Sequence, residues 1–123
     1  MQNDKEKFKK EFISRLVKFS LLVLKLGEKM RKERILWPII DQLVRSSTSI
    51  GANVVEAKSS SSRRDYLKFF EIALKSANET KYWLILVKES SNDFKVESDN
   101  LLKEIKEISN VIGASVLTLK GKN

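Results

Sequence analysis

With 123 residues the chain has the size of one ordinary domain, and 41% hydrophobic residues with only 4 Gly and 1 Pro argue against both disorder and a turn-rich all-β fold. It has no cysteine and no histidine, which excludes a disulfide framework, a thiol nucleophile and the usual acid-base residue of neutral-pH catalysis; a metal site would have to be built from carboxylates alone. The net charge of +8 is uneven: residues 1–34 carry 11 Lys and Arg against 5 Asp and Glu, whereas residues 35–62 and 90–123 are balanced, so the field favours phosphate, an anionic membrane or an acidic protein.

The polar, mixed-charge opening from Met1 to Lys10 leads into the apolar run Phe19 to Leu24, flanked by Lys18 and Lys25. That run is too short for a membrane span and does not have the form of a signal peptide, so a cytoplasmic location is expected. From about Lys5 to Lys32, Phe8, Phe12, Leu16, Phe19, Val23, Leu26 and Met30 recur at three- and four-residue steps, the spacing of one helical face. Ile13, Val17, Leu21 and Leu24 widen this face beyond what one neighbour would cover, which points to self-association.

Pro38 is tolerated in a first helical turn, so the second helix begins just before it and runs to about Ser59. Leu36, Ile40, Leu43, Ser47, Ile50, Val54 and Ala57 form its apolar stripe; Gln42, Arg45 or Ser46, Ser49, Asn53 and Glu56 form a polar one. Ser59 to Ser62 make the next turn, and Ser62 with Asp65 three residues later has the form of an N-terminal cap. The third helix carries Tyr66, Phe69, Phe70, Ala73, Leu74, Ala77, Leu84 and Val87 and stops near Ser90 to Asn92. The fourth starts between Val96 and Asn100 and reaches about Leu119, with Leu101, Ile105, Ile108, Ile112, Val116 and Leu119 inward and Gly113 marking a close crossing.

Short connections between four helices predict an all-α, antiparallel, up-down-up-down four-helix bundle occupying residues 1–123 as a single domain. Folding the second helix onto the third about the serine turn pairs positions whose numbers sum to about 122, which sets Arg45 against Glu79 as a buried ion pair. Glu56 with Asn53 is the other concentration of buried polarity expected. Gln42, Arg45, Ser49, Asn53, Glu56 and Glu79 are therefore read as a structural network, with no catalytic residue, no metal ligand and no cofactor.

The run Pro38 to Ala57, then Arg64-Asp65-Tyr66 and Ile72 to Leu84 with its Glu79-Thr80-Lys81-Tyr82-Trp83-Leu84, resembles the four-helix-bundle family encoded by intervening sequences in bacterial 23S ribosomal RNA genes. It departs at Tyr66, where that family often has phenylalanine. The family carries no established enzymatic activity. It is similar in turn to the accessory protein of diversity-generating retroelements, a basic pentameric ring that associates with a reverse transcriptase and with nucleic acid. The resemblance thus implies a homopentamer with RNA, DNA or a reverse transcriptase as partner. Two roles stay open: a scaffold that holds RNA or DNA by its phosphates through Lys18, Lys25, Lys29, Arg31, Lys32, Arg34, Arg63 and Arg64, or an adaptor for an acidic or enzymatic protein.

Overall fold

A computed structural model describes residues 3–121. Four helices, α1 (Asp4–Met30), α2 (Trp37–Lys58), α3 (Arg63–Ser90) and α4 (Lys95–Gly121), form an all-α bundle. The Asn3 carboxamide accepts the Glu6 amide at 2.8 Å and caps α1. At its other end α1 stops at Met30, two residues before the expected Lys32, because the Glu33 amide folds back onto the Met30 carbonyl at 2.9 Å. A 3-10 turn over Arg34–Leu36 then delivers Pro38 as the second residue of α2, where a missing amide hydrogen costs nothing. Ser62 caps α3 as expected, its hydroxyl accepting the Asp65 amide at 3.1 Å. Helix α4 begins at Lys95, earlier than the sequence suggests, since a second 3-10 turn at Asn92–Phe94 runs directly into it and buries Phe94.

The core follows the expected stripes. Phe12, Leu16, Phe19, Val23, Leu26 and Met30 are buried from α1, Leu43, Ile50, Val54 and Ala57 from α2, Phe70, Ala73, Ala77, Leu84 and Val87 from α3, and Leu101, Ile105, Ile108, Ile112 and Val116 from α4. Phe8 is an exception at 56% exposed, stacked on the buried Phe12.

Contacts between adjacent helices run in opposite directions. On α1 and α2, a Cβ at Gly27 would lie 3.4 Å from Ile40 and one at Gly51 3.5 Å from Leu16, ordinary contact distances that let the two backbones approach closely. Across α2 and α3, Thr80 Oγ1 shares a hydrogen bond with Ser46 Oγ at 2.9 Å and Ser76 Oγ donates to Ser49 Oγ at 2.9 Å. Lys88 pairs with Asp99 and Lys120 with Glu71 between α3 and α4. Gly113 does not mark a crossing: nothing stands within 4 Å of the place its Cβ would occupy.

The α2–α3 seam corrects the expected ion pair. Arg45 and Glu79 are both exposed and make no salt bridge with each other. The residue that follows each of them, Ser46 and Thr80, faces inward, and one residue is about 100° of helix rotation, enough to swing the charged neighbours out to water. The observed pairs sum to 126 (Ser46 with Thr80) and 125 (Ser49 with Ser76), one or two positions from the expected Arg45–Glu79 pair. Gln42 and Glu56 are exposed too, and of the buried polarity expected at Glu56 and Asn53 only Asn53 is partly buried. Only Ser49 and Asn53 of the expected network join the seam, Asn53 Nδ2 donating to Ser49 Oγ at 3.0 Å and to the Ser49 carbonyl at 2.8 Å. Hydroxyls replace charges at this contact, which avoids the desolvation cost of buried ions.

Candidate nucleic-acid interface

Lys18, Lys25 and Lys29 follow steps of seven and four residues and so share one edge of α1, beside α4. That edge is partly neutralised. Lys29 Nζ lies 2.6 Å from Glu97, and Arg15 makes a fork, its Nε donating to Glu104 at 2.6 Å and its Nη2 to Glu104 at 2.8 Å and Glu107 at 2.9 Å. The hydrogen bond from Arg15 holds the Glu104 carboxyl below the usual range, against the opposing effect of burial, with Lys18 adding a smaller pull. The guanidinium of Arg15 is pushed up in return. Lys29 likewise depresses Glu97. Three acids on α4 therefore hold Arg15 and Lys29, while Lys18 and Lys25 form no salt bridge among the described residues.

The turn from α1 to α2 differs. Arg31, Lys32 and Arg34 are exposed and none forms a salt bridge among the described residues. Their backbone is held: Trp37 Nε1 donates to the Arg31 carbonyl at 2.7 Å, and the Arg34 guanidinium stands 5.4 Å from the Trp37 ring centroid. The three cations thus sit on a braced corner with Ile35, 84% exposed, among them.

Arg63 and Arg64 lie at the opposite end of the bundle. The length of α1, 27 residues, separates the two ends by roughly 40 Å. Arg63 Nη2 donates to the Leu119 carbonyl at 3.1 Å and so caps the last turn of α4. The eight cations read from the sequence therefore form a partly paired edge, a free corner and a distant pair.

Sequence reasoning missed the Arg15 fork. Glu104 and Glu107 are readable as neighbours three apart on one face, but their partner lies 89 residues away from Glu104, and only the α1–α4 register reveals it. No group of three or more Asp or Glu side chains among the described residues could hold a metal ion, and no described helix is long and apolar enough to cross a membrane.

Residues 9–114 match the 23S rRNA-intervening sequence protein family. The chain belongs to that family. Its bundle is also similar to the crystal structure of a protein with unknown function from the S23 ribosomal protein family of Bacteroides thetaiotaomicron VPI-5482, at 30% identity and a TM-score of 0.79, over 85% of this chain and 97% of that one. Comparison with curated proteins gives no match. Membership in the 23S rRNA-intervening sequence family carries the four-helix fold and no named chemistry.

Proposed function

We infer that this family member is a non-catalytic basic scaffold that holds RNA, or other nucleic acid, by its phosphate backbone. The observation that carries the reading is the corner formed by Arg31, Lys32 and Arg34, three exposed cations with no carboxylate partner among the described residues, on a turn braced by Trp37. Such side chains donate to phosphates whatever the base sequence, and repetition in an up-down-up-down bundle assembled as a ring, a pentamer by the family resemblance, would let one strand touch several copies. Self-assembly is supported by Val17, Leu21 and Leu24, an outward apolar stripe on α1 with each residue about half exposed.

The test is RNA retention across a salt series for the parent and for a variant carrying Arg31→Gln, Lys32→Gln and Arg34→Gln, with oligomer mass measured on both. Parent affinity should fall steeply with salt, and the variant's salt slope should be smaller by about 2, at roughly 0.7–0.9 for each phosphate left without its cation. Unchanged affinity in a still assembled variant removes the corner from the site. No RNA binding by the parent at low salt instead favours the second reading, an adaptor whose outward α1 stripe meets an acidic or enzymatic protein such as a reverse transcriptase.

A further inference from the structure

At the end of the bundle remote from the basic corner, the first turns of α1 stand away from α4. The salt bridges between the two helices begin at Arg15, and N-terminal to it a cleft of about 910 Å³ opens between α1, the serine turn, the start of α3 and the end of α4. Phe12, Val54 and Phe70, all buried, make its floor. Two aromatic stacks face it: Phe8 on Phe12 with centroids 6.2 Å apart, and Tyr66 on Phe70 at 4.9 Å. Val111 and Leu119 complete the apolar wall from α4.

The rim has the opposite character. Lys5, Lys9, Lys58 and Arg63 line it against the single carboxylate of Asp4. Lys9 Nζ stands 5.2 Å from the Tyr66 ring centroid and Arg63 is held by the Leu119 carbonyl, so two of the four cations are fixed at the mouth. Among the described residues Lys5 and Lys58 make no salt bridge.

We propose that this cleft binds an anionic amphiphile, its apolar part between the two aromatic stacks and its carboxylate or phosphate head at the lysine rim. The volume and the mostly apolar lining with a few converging charges are those of small-molecule sites. Ser60, Ser61, Ser62, Ser115 and Thr118 also line the cleft, so a head group there meets hydroxyls as well as cations. An amphipathic partner helix is disfavoured, because Asp4 to Ile13 spans only about 14 Å, fewer than three turns. The four-to-one excess of rim cations selects a negative head group over a neutral one.

The experiment titrates the full chain with hexadecanoate and with a single-chain lysophosphatidate, each below its micelle threshold, beside hexadecanol as the neutral control. Displacement of a fluorescent naphthalene sulfonate reports binding. One or both anions should bind at least about tenfold more tightly than the alcohol, and the pair separates a carboxylate from a phosphate head. Ala114→Trp is the first variant: Ala114 is exposed and lines the cleft, so an indole there fills the space without entering the core. It should weaken anion binding by at least about tenfold while helicity and melting hold. Lys5→Glu with Lys58→Glu should weaken both anions and leave hexadecanol unchanged. The proposal is overturned if neither anion binds, if the alcohol binds as well as the anions, if Ala114→Trp leaves affinity intact, or if an acidic amphipathic peptide binds where the amphiphiles do not. None of these readouts involves RNA or the Arg31 corner.

Discussion

Replacing Arg15 by methionine removes the fork that ties α1 to α4 while keeping an unbranched side chain along the seam. Arg15 contributes three hydrogen bonds at 2.6–2.9 Å, two of them to one carboxylate. Were the pair buried, its loss would cost roughly 3–5 kcal/mol. Arg15 and Glu104 are instead about one-third exposed, at 33% and 31%, and Glu107 is 67% exposed, so water screens what remains. The expected cost is about 1–2 kcal/mol, above that of an ordinary surface pair because the geometry is bidentate. A few tenths of this is repulsion between Glu104 and Glu107, three apart on α4 and no longer bridged. The assay is urea unfolding at fixed protein concentration, since self-association would make stability concentration-dependent. Arg15→Met, Glu104→Gln and the double variant complete a cycle whose coupling should be about 1 kcal/mol. The pH dependence has a definite sign. Glu104 is depressed in the folded state, so its contribution is fully present above the unfolded value near 4.3 and is lost as pH falls through the lower folded value. The parent and Arg15→Met curves should therefore converge in acid. Strict additivity in the cycle, or a gap that persists at low pH, would refute the account.

Gly113→Ala should stabilise the chain by about 0.5–1 kcal/mol and raise Tm by a few degrees, because the position is mid-helix with open space where the methyl would go; a lower Tm would show a neighbour there. Thr80 is fully buried; its hydroxyl donates to the Ser76 carbonyl at 2.8 Å and shares a hydrogen bond with the Ser46 hydroxyl at 2.9 Å. Thr80→Val should cost about 1 kcal/mol, since Ser46 keeps its own bond to the Leu43 carbonyl, and Thr80→Ala about 2, since a methyl is lost as well; the reverse order by urea unfolding would contradict the seam. Val17→Lys with Leu21→Lys should reduce the particle toward 14.2 kDa in light scattering without loss of helicity; a parent that is itself monomeric at micromolar concentration would end the ring reading.

Within each helix the sequence was informative, because a 3.6-residue period fixes which face is buried from local spacing alone. The stripes from Phe12 to Met30, Leu43 to Ala57 and Leu101 to Val116 all point inward. The Ser62 cap was readable for the same reason, its partner amide lying three residues away. What failed depended on how one helix slides and turns against another. A one-residue change of face separates Ser46 from Arg45 and Thr80 from Glu79, and the observed pairs sit one or two positions from the drawn Arg45–Glu79 pair. Charge type was no guide, since hydroxyls serve at a close helix contact as well as ions and at lower desolvation cost. Glycine misled similarly: Gly27 and Gly51 sit at the α1–α2 contact and Gly113 does not, although all three lie inside helices.

The register also decides where the net charge acts. Glu97, Glu104 and Glu107 on α4 draw Arg15 and Lys29 into pairs along the α1–α4 seam, so the excess read from the first 34 residues is not spread evenly over α1. Among the described residues unpaired cations stand at both ends, Arg31, Lys32 and Arg34 at one and Lys5, Lys9, Lys58 and Arg63 at the other, with Lys18 and Lys25 between them. Oppositely directed helices largely cancel one another's macrodipoles, which leaves these side chains as the main source of field at each end. The two ends differ in what surrounds the charge. One carries exposed Ile35 and Trp37 among its cations; the other has two aromatic stacks beside them. Separated by roughly 40 Å, well over a Debye length at physiological salt, the two clusters act independently. Neutralising one should leave ligand affinity at the other unchanged, a separation that a single diffuse basic surface would not permit.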